Sequence, residues 1–138
     1  MAKPTKREPK GRIQSHRDLI VWQKARTLNA MCYRLAGRLP DYERFEMQSQ
    51  IRRAAVSVPT NIAEGRGSLG KGNFARHVSD SRASLAELEC LLELATDVGY
   101  LDLDDIQPSL AVADEVSRML WTLAKNLGSR QILPRSKV

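Results

Sequence analysis

Aromatic side chains are scarce, at 5% of residues, so a core must be assembled mainly from Leu, Val, Ile and Ala within a 42% hydrophobic fraction. Cysteine occurs twice, at Cys32 and Cys90. That pair matches no metal or redox spacing, and a disulfide framework would use more of them, so both are expected reduced and packed as small residues. No apolar run approaches the ~18 residues of a membrane span, and the N-terminus has no signal-peptide apolar stretch. The expectation is a soluble, cytoplasmic protein with no membrane partner. Sustained period-two alternation is missing as well, which argues against a sheet. The two histidines, His16 and His77, fit no ligand spacing. No Ser–His–Asp or paired-carboxylate arrangement stands out either, so the chain reads as a non-enzyme with no metal, no cofactor and no small-molecule substrate. A length of 138 residues fits a single domain.

What the sequence does have is positive charge, +6 overall, unevenly placed. Residues 1–17 carry Lys3, Lys6, Arg7, Lys10, Arg12 and Arg17 against Glu8 alone. This stretch, with Pro4, Pro9 and Gly11, reads as a disordered basic arm. Residues 128–138 add Arg130, Arg135 and Lys137 and read as a flexible basic tail. The body, 18–127, is slightly acidic and itself divided. Seven basic residues lie between Arg44 and Arg82, whereas Leu85–Glu115 holds nine acids and no base. Such a division suits a polyanion on the basic part, or identical subunits meeting head to tail.

Short Gly-, Pro- and Asp-containing breaks cut the body into four helical segments, about Leu19–Gly37, Tyr42–Glu64, Asn73–Val98 and Leu103–Leu127. Asp18 is the expected N-cap of the first. The third has the cleanest pattern: Phe74, Val78, Ser81, Leu85, Leu88, Leu92 and Ala95 recur in steps of four and three, a heptad seam. The architecture this implies is all-α, an antiparallel up-down-up-down four-helix bundle. Pro59 falls inside the second segment, where the apolar stripe continues on both sides, so that helix is expected to run through a kink. Leu91, Leu94 and Val98 lie off the third seam, and Val112, Val116 and Met119 widen the fourth stripe. This surplus apolar surface predicts a homo-oligomer interface.

The string Gly65-Arg66-Gly67-Ser68-Leu69-Gly70-Lys71-Gly72 satisfies G-x-G-x-x-G and nearly satisfies a P-loop, but Gly72 stands where the magnesium-binding hydroxyl belongs. Both fingerprints follow a strand, and here a helix precedes the glycines, so nucleotide hydrolysis is excluded. The glycines read as a tight reversal between helices. Arg66, Lys71 and Arg76, beside the start of the third helix, form a place where a nucleic-acid phosphate fits. His77, at the edge of the third seam, reads as a packed structural histidine.

The stretch Gln50-Ile51-Arg52-Arg53-Ala54-Ala55-Val56-Ser57-Val58-Pro59-Thr60-Asn61-Ile62-Ala63-Glu64-Gly65 resembles the signature of four-helix-bundle proteins encoded in intervening sequences of 23S ribosomal RNA genes. Asp18–Ala25 resembles that family's opening; Ser84–Glu89 with Gly99-Tyr100-Leu101 resembles its third helix and following turn. The resemblance spans about 18–127. It implies an antiparallel bundle assembled as a homopentamer, bacterial, without known catalysis, and similar in fold to the accessory variability protein of diversity-generating retroelements, which binds nucleic acid and a reverse transcriptase. Within the signature, Arg53, Thr60 and Glu64 project away from Ile51, while Arg52, Val56 and Ala63 share a flank. Arg52 and Val56 therefore join the candidate subunit contact. Asn61 sits where its amide can hold backbone freed by Pro59, and the signature charges can pair with the Glu87–Glu93 face. Whether Arg53, Asn61 and Glu64 serve structure or function stays open at this point. So does the partner: RNA or DNA, bound by the arm residues and Arg66, Lys71 and Arg76, or another protein held by a ring-shaped scaffold.

Overall fold

The computed structural model describes residues 14–127. Four helices carry the fold: α1 (Ile20–Ala36), α2 (Met47–Gly67), α3 (Lys71–Asp97) and α4 (Leu103–Asn126). Two single 3-10 turns, His16–Asp18 and Asp41–Glu43, precede α1 and α2. Among the described residues there is no strand. Each helix packs on its neighbours in sequence and α4 closes onto α1, giving an antiparallel up-down-up-down bundle. The α2–α3 seam is the most extensive contact. Leu28, Ile51, Val58, Ile62, Val78, Leu88, Leu92, Ile106, Val116 and Leu120 are fully enclosed at the centre. Each such side chain contributes about 1.5–3 kcal/mol through removal from water.

Local chemistry sets the boundaries. α3 ends in a Schellman motif: Gly99 takes φ +85°, Tyr100 N–H donates to Ala95 O at 3.0 Å, and Gly99 N–H donates to Thr96 O at 3.0 Å. α4 starts with a capping box in which Asp102 N–H donates to Asp105 Oδ2 at 2.8 Å. The second helix begins at Met47 rather than near Tyr42, because the segment after Pro40 forms a 3-10 turn instead. Buried Gln48 secures that turn, its Nε2 donating to Leu39 O at 3.0 Å. Glu43 accepts from Met47 N–H at 3.1 Å and from the Tyr100 hydroxyl at 2.8 Å, tying the α1–α2 connection to the α3–α4 connection.

Asp18 does not cap α1, whose N-cap is Leu19 without a side-chain bond. Its carboxylate instead receives Gln14 N–H at 2.9 Å and Ser15 N–H at 3.3 Å, closing the 3-10 turn. That turn packs on α1 and α2, with the His16 ring 4.7 Å from Trp22. The packed chain thus starts before residue 18. The expected basic arm through Arg12 and the tail from residue 128 lie outside the described residues. No helix among the described residues is long and apolar enough to cross a membrane.

Candidate functional site

The signature stretch forms the middle of α2, and Pro59 organises it. A proline here removes one backbone donor and crowds the preceding carbonyl turn, yet α2 runs unbroken from Met47 to Gly67. Three consecutive carbonyls next to the proline each receive a side-chain donor. Thr60 Oγ1 donates to Val56 O at 2.7 Å, Asn61 Nδ2 to Ser57 O at 3.0 Å, and Ser81 Oγ to Val58 O at 2.9 Å. Asn61 does support the helix beside Pro59, but at Ser57 O and not at Ala55 O, the acceptor that Pro59 deprives of its partner.

The same residues continue into α3. Asn61 Nδ2 also reaches Ser57 Oγ at 3.0 Å, and Ser57 Oγ lies 2.7 Å from Ser84 Oγ. Asn61 Oδ1 meets His77 Nδ1 at 3.1 Å, and Glu64 Oε1 lies 3.8 Å beyond that nitrogen. At Gly65 the helices approach so closely that a Cβ would stand 2.7 Å from His77 Cβ and 2.9 Å from Phe74 Cδ1. His77 is thus half-buried in an amide–hydroxyl seam, as a packed structural residue would be. No hydroxyl lies within hydrogen-bond reach of its ring among the described residues, so the seam holds no nucleophile–base pair. The expected pairing of signature charges with Glu87–Glu93 does not form: Arg53 Nη1 donates to Ser49 Oγ at 3.3 Å, and Glu64 faces His77.

The glycine-rich string is mostly helix. α2 continues through Gly65 and Gly67, and only Ser68–Gly70 link it to α3. Gly70, at φ +84°, is the one residue of that link that needs glycine's freedom. Lys71 opens α3 with its side chain exposed, and Arg76 Nη2 donates to Asn73 Oδ1 at 3.3 Å. Arg66 is half-buried. Antiparallel topology brings these three to one end of the bundle, together with Arg17 before α1 and Lys125 at the end of α4. Both ends of the described chain emerge there too. Lys3, Lys6, Arg7, Lys10 and Arg12 lie outside the described residues.

The opposite end is acidic. Asp41, Glu43, Glu46, Asp97, Asp102, Asp104 and Asp105 cluster around the two connections. Arg38 holds Asp105 through Nη1–Oδ1 at 3.0 Å and Nη2–Oδ2 at 3.2 Å. The Asp102 backbone N–H, then Arg38, keep the Asp105 carboxyl below its usual range. On the α3–α4 side, partial burial followed by the neighbouring Glu93 and Asp114 pushes the Glu89 carboxyl up.

Of the expected interface residues, Leu91 and Val116 are at 7% and 0% exposure inside the chain's own core, so neither offers surface to a second copy. A bundle helix touches two neighbours, and its buried arc extends well past one heptad seam. Val112, Met119 and Arg52 are half-buried, whereas Val56, Leu94 and Val98 are exposed. They do not join into one patch: Val56 is midway along α2, Leu94 and Val98 are at the end of α3, and Met119 faces a groove between α4 and α1.

Sequence reasoning missed the α1–α2 face. Trp22, Arg26, Asn29 and Tyr33 fall at i, i+4, i+7 and i+11, a spacing that puts them on one stripe of α1. Arg26 lies over the Trp22 ring at 5.5 Å and Arg52 over the Tyr33 ring at 5.3 Å.

A family model for the 23S rRNA-intervening sequence protein matches residues 17–122. The chain belongs to that family. The match takes in the signature seam, the α1–α2 face and the basic end of the bundle apart from Lys125. A crystal structure of a protein with unknown function from the S23 ribosomal protein family of Bacteroides thetaiotaomicron VPI-5482 superposes with a TM-score of 0.72. That protein shares 21% identity, and the match covers 77% of this chain and 99% of the other. At this identity the likeness carries the fold of the intervening-sequence proteins and nothing further. A search of curated proteins returns no match.

Proposed function

We propose that this intervening-sequence protein is a non-enzymatic accessory protein that binds nucleic acid, RNA foremost, as a cytoplasmic homo-oligomer. The observation that carries the reading is the end-to-end division of charge. Arg17, Arg66, Lys71, Arg76 and Lys125 share one end of the bundle with the points from which both basic termini depart. The seven carboxylates named above surround the other end. A phosphate backbone is drawn to the first and repelled by the second. Each bundle in an oligomer adds another basic end, so modest single contacts sum by avidity.

The test is a salt titration of RNA and duplex-DNA binding by three proteins: the intact chain, the chain lacking residues 1–15, and Arg66/Lys71/Arg76 changed to Ala. Binding through these residues gives log K falling by ~0.7–0.9 per phosphate neutralised, and a smaller slope in each variant. Absence of binding by the intact chain at ~50 mM salt, where such contacts are strong, refutes the reading. The alternative is then a scaffold that binds another protein, for which the exposed Val98, Leu103 and Leu69 provide apolar surface.

A further inference from the structure

The α1–α2 groove combines features that a bundle's own packing does not require. Trp22 and Tyr33 stand three helical turns apart on one stripe, ~16 Å along α1. Each ring has an arginine over it, Arg26 and Arg52. Neither arginine has a carboxylate partner among the described residues. Between the two rings lies Asn29, whose Oδ1 is buried with no hydrogen-bond partner; the buried Nε of Arg52 is likewise unpartnered. Buried polar atoms in folded proteins are nearly always satisfied, so one lining the cleft, at Asn29, and one beyond it, at Arg52 against Tyr33, call for an explanation. Trp22, Arg26 and Asn29 open onto a cleft of about 310 Å³ that continues across Pro59 and Thr60 of α2. Glu64 is the single carboxylate lining it among the described residues, and it is turned toward His77. The cleft begins beside His16, at the basic end.

We infer that this groove is a track for single-stranded nucleic acid, on which unpaired bases stack against Trp22 and Tyr33. The inference rests on the nucleic-acid reading above and adds the strandedness of the ligand and the residues that sense it. Aromatic platforms interleaved with arginines are the usual means of holding a single strand, because every base has a π-face and the cations meet the backbone between bases. The Asn29 amide supplies the acceptor and donor edge that a nucleobase amino group and ring nitrogen complete. A duplex keeps its base faces stacked internally and offers none to either ring, so the groove discriminates by strandedness and only weakly by sequence.

The experiment compares a mixed-sequence single-stranded RNA of about 20 nucleotides, a length covering typical single-strand sites, with the same RNA annealed to its complement. Both are titrated into the intact chain, Tyr33→Ala and Asn29→Ala. Tyr33 is 41% exposed and Asn29 makes no side-chain hydrogen bond among the described residues, so neither substitution removes packing that the fold depends on. Tyr33→Ala is expected to weaken single-strand binding by roughly 5- to 150-fold, and Asn29→Ala by roughly fivefold. Duplex binding, the salt slope and the oligomeric mass stay unchanged. In a Trp121→Phe background, single strands quench Trp22 emission and duplexes do not. Wild-type single-strand affinity in both variants overturns the groove while leaving nucleic-acid binding by the basic end intact. Failure of the intact chain to bind either RNA overturns the broader reading and this one with it. A change of sedimenting mass in Tyr33→Ala shows the face to be a contact between protein chains and likewise overturns the inference.

Discussion

Two glycines of α2, two residues apart, should respond in opposite ways to the same substitution. Both lie in helical backbone, so alanine is conformationally acceptable and favours the helix by up to about 1 kcal/mol per site. At Gly67 a Cβ meets nothing within 4 Å. Gly67→Ala should stabilise by about 0.5 kcal/mol, less than the full propensity gain because this is the last residue of α2. At Gly65 the added methyl would lie 2.7 Å from His77 Cβ. That carbon is fixed to the α3 backbone and cannot rotate away. Carbon pairs favour about 3.5–4.0 Å, so α2 and α3 must separate by close to 1 Å at this point. Overpacking of this kind costs about 1–3 kcal/mol. The separation also strains the Asn61–His77 bond of 3.1 Å, worth about another 1 kcal/mol. Against the propensity gain, Gly65→Ala should destabilise by about 1–3 kcal/mol. Urea unfolding followed by far-ultraviolet circular dichroism, at one fixed protein concentration, reads the difference. With m near 1–3 kcal/mol/M, the two midpoints should lie about 1 M apart. If Gly65→Ala proves as stable as Gly67→Ala, the α2–α3 approach is not as close as described, and the seam built on it is wrong.

Other consequences are equally direct. Asn61→Ala removes the donor to Ser57 and the acceptor facing His77, and should cost about 1–2 kcal/mol by the same unfolding measurement. Burial pushes the Cys32 thiol up to about 11, only partly offset by a hydrogen bond with Ser109, whereas Cys90 is exposed. A thiol reagent at mildly alkaline pH should therefore modify Cys90 quickly and Cys32 only on unfolding. Because the folded value of Cys32 exceeds the unfolded one, its contribution to stability is complete below about 9 and is lost as pH rises to about 11, at up to about 1.4 kcal/mol per pH unit between them; substituting Cys32→Ser should remove that alkaline dependence. Asp105 behaves oppositely. Its folded value is lowered, so the stability it contributes is present above the ordinary carboxyl range and lost as pH falls through the lowered value. Asp105→Asn should flatten the acid limb of the stability–pH curve, measured as thermal midpoints between neutral and strongly acid pH.

The helices themselves were legible because a single chain segment carries its own period. Phe74 to Ala95 keeps one face through about six turns, and every seam member from Val78 onward is buried. Where a helix has to be placed against another, periodicity alone no longer decides. Leu91 looks surplus to the α3 seam until α4 lies beside it. The stacking of Arg52 on Tyr33 joins residues on different helices, and their meeting depends on how far α2 is slid along α1. The start of α2 was misjudged for a local reason, since Tyr42 and Glu43 fit a helix by composition while Pro40 turns them into a 3-10 turn. The basic end was visible as charge in the sequence; that both termini and the α2–α3 link share it follows only from the antiparallel order.

The hydrophilic seam between α2 and α3 also fixes the alignment of the bundle. Leucines repeating in steps of four and three look nearly the same to a partner helix after a slide of seven residues, ~10.5 Å, so an all-leucine seam leaves neighbouring alignments close in energy. Here such a slide would carry Ser81 away from Val58 O, putting Phe74 or Leu88 in its place, and would also part Asn61 from His77 and Ser57 from Ser84. Each stranded polar group costs about 1–3 kcal/mol, and several would be stranded together. The α2–α3 hairpin therefore has one alignment well separated from its alternatives, and α1 and α4 are added to a ruler already set.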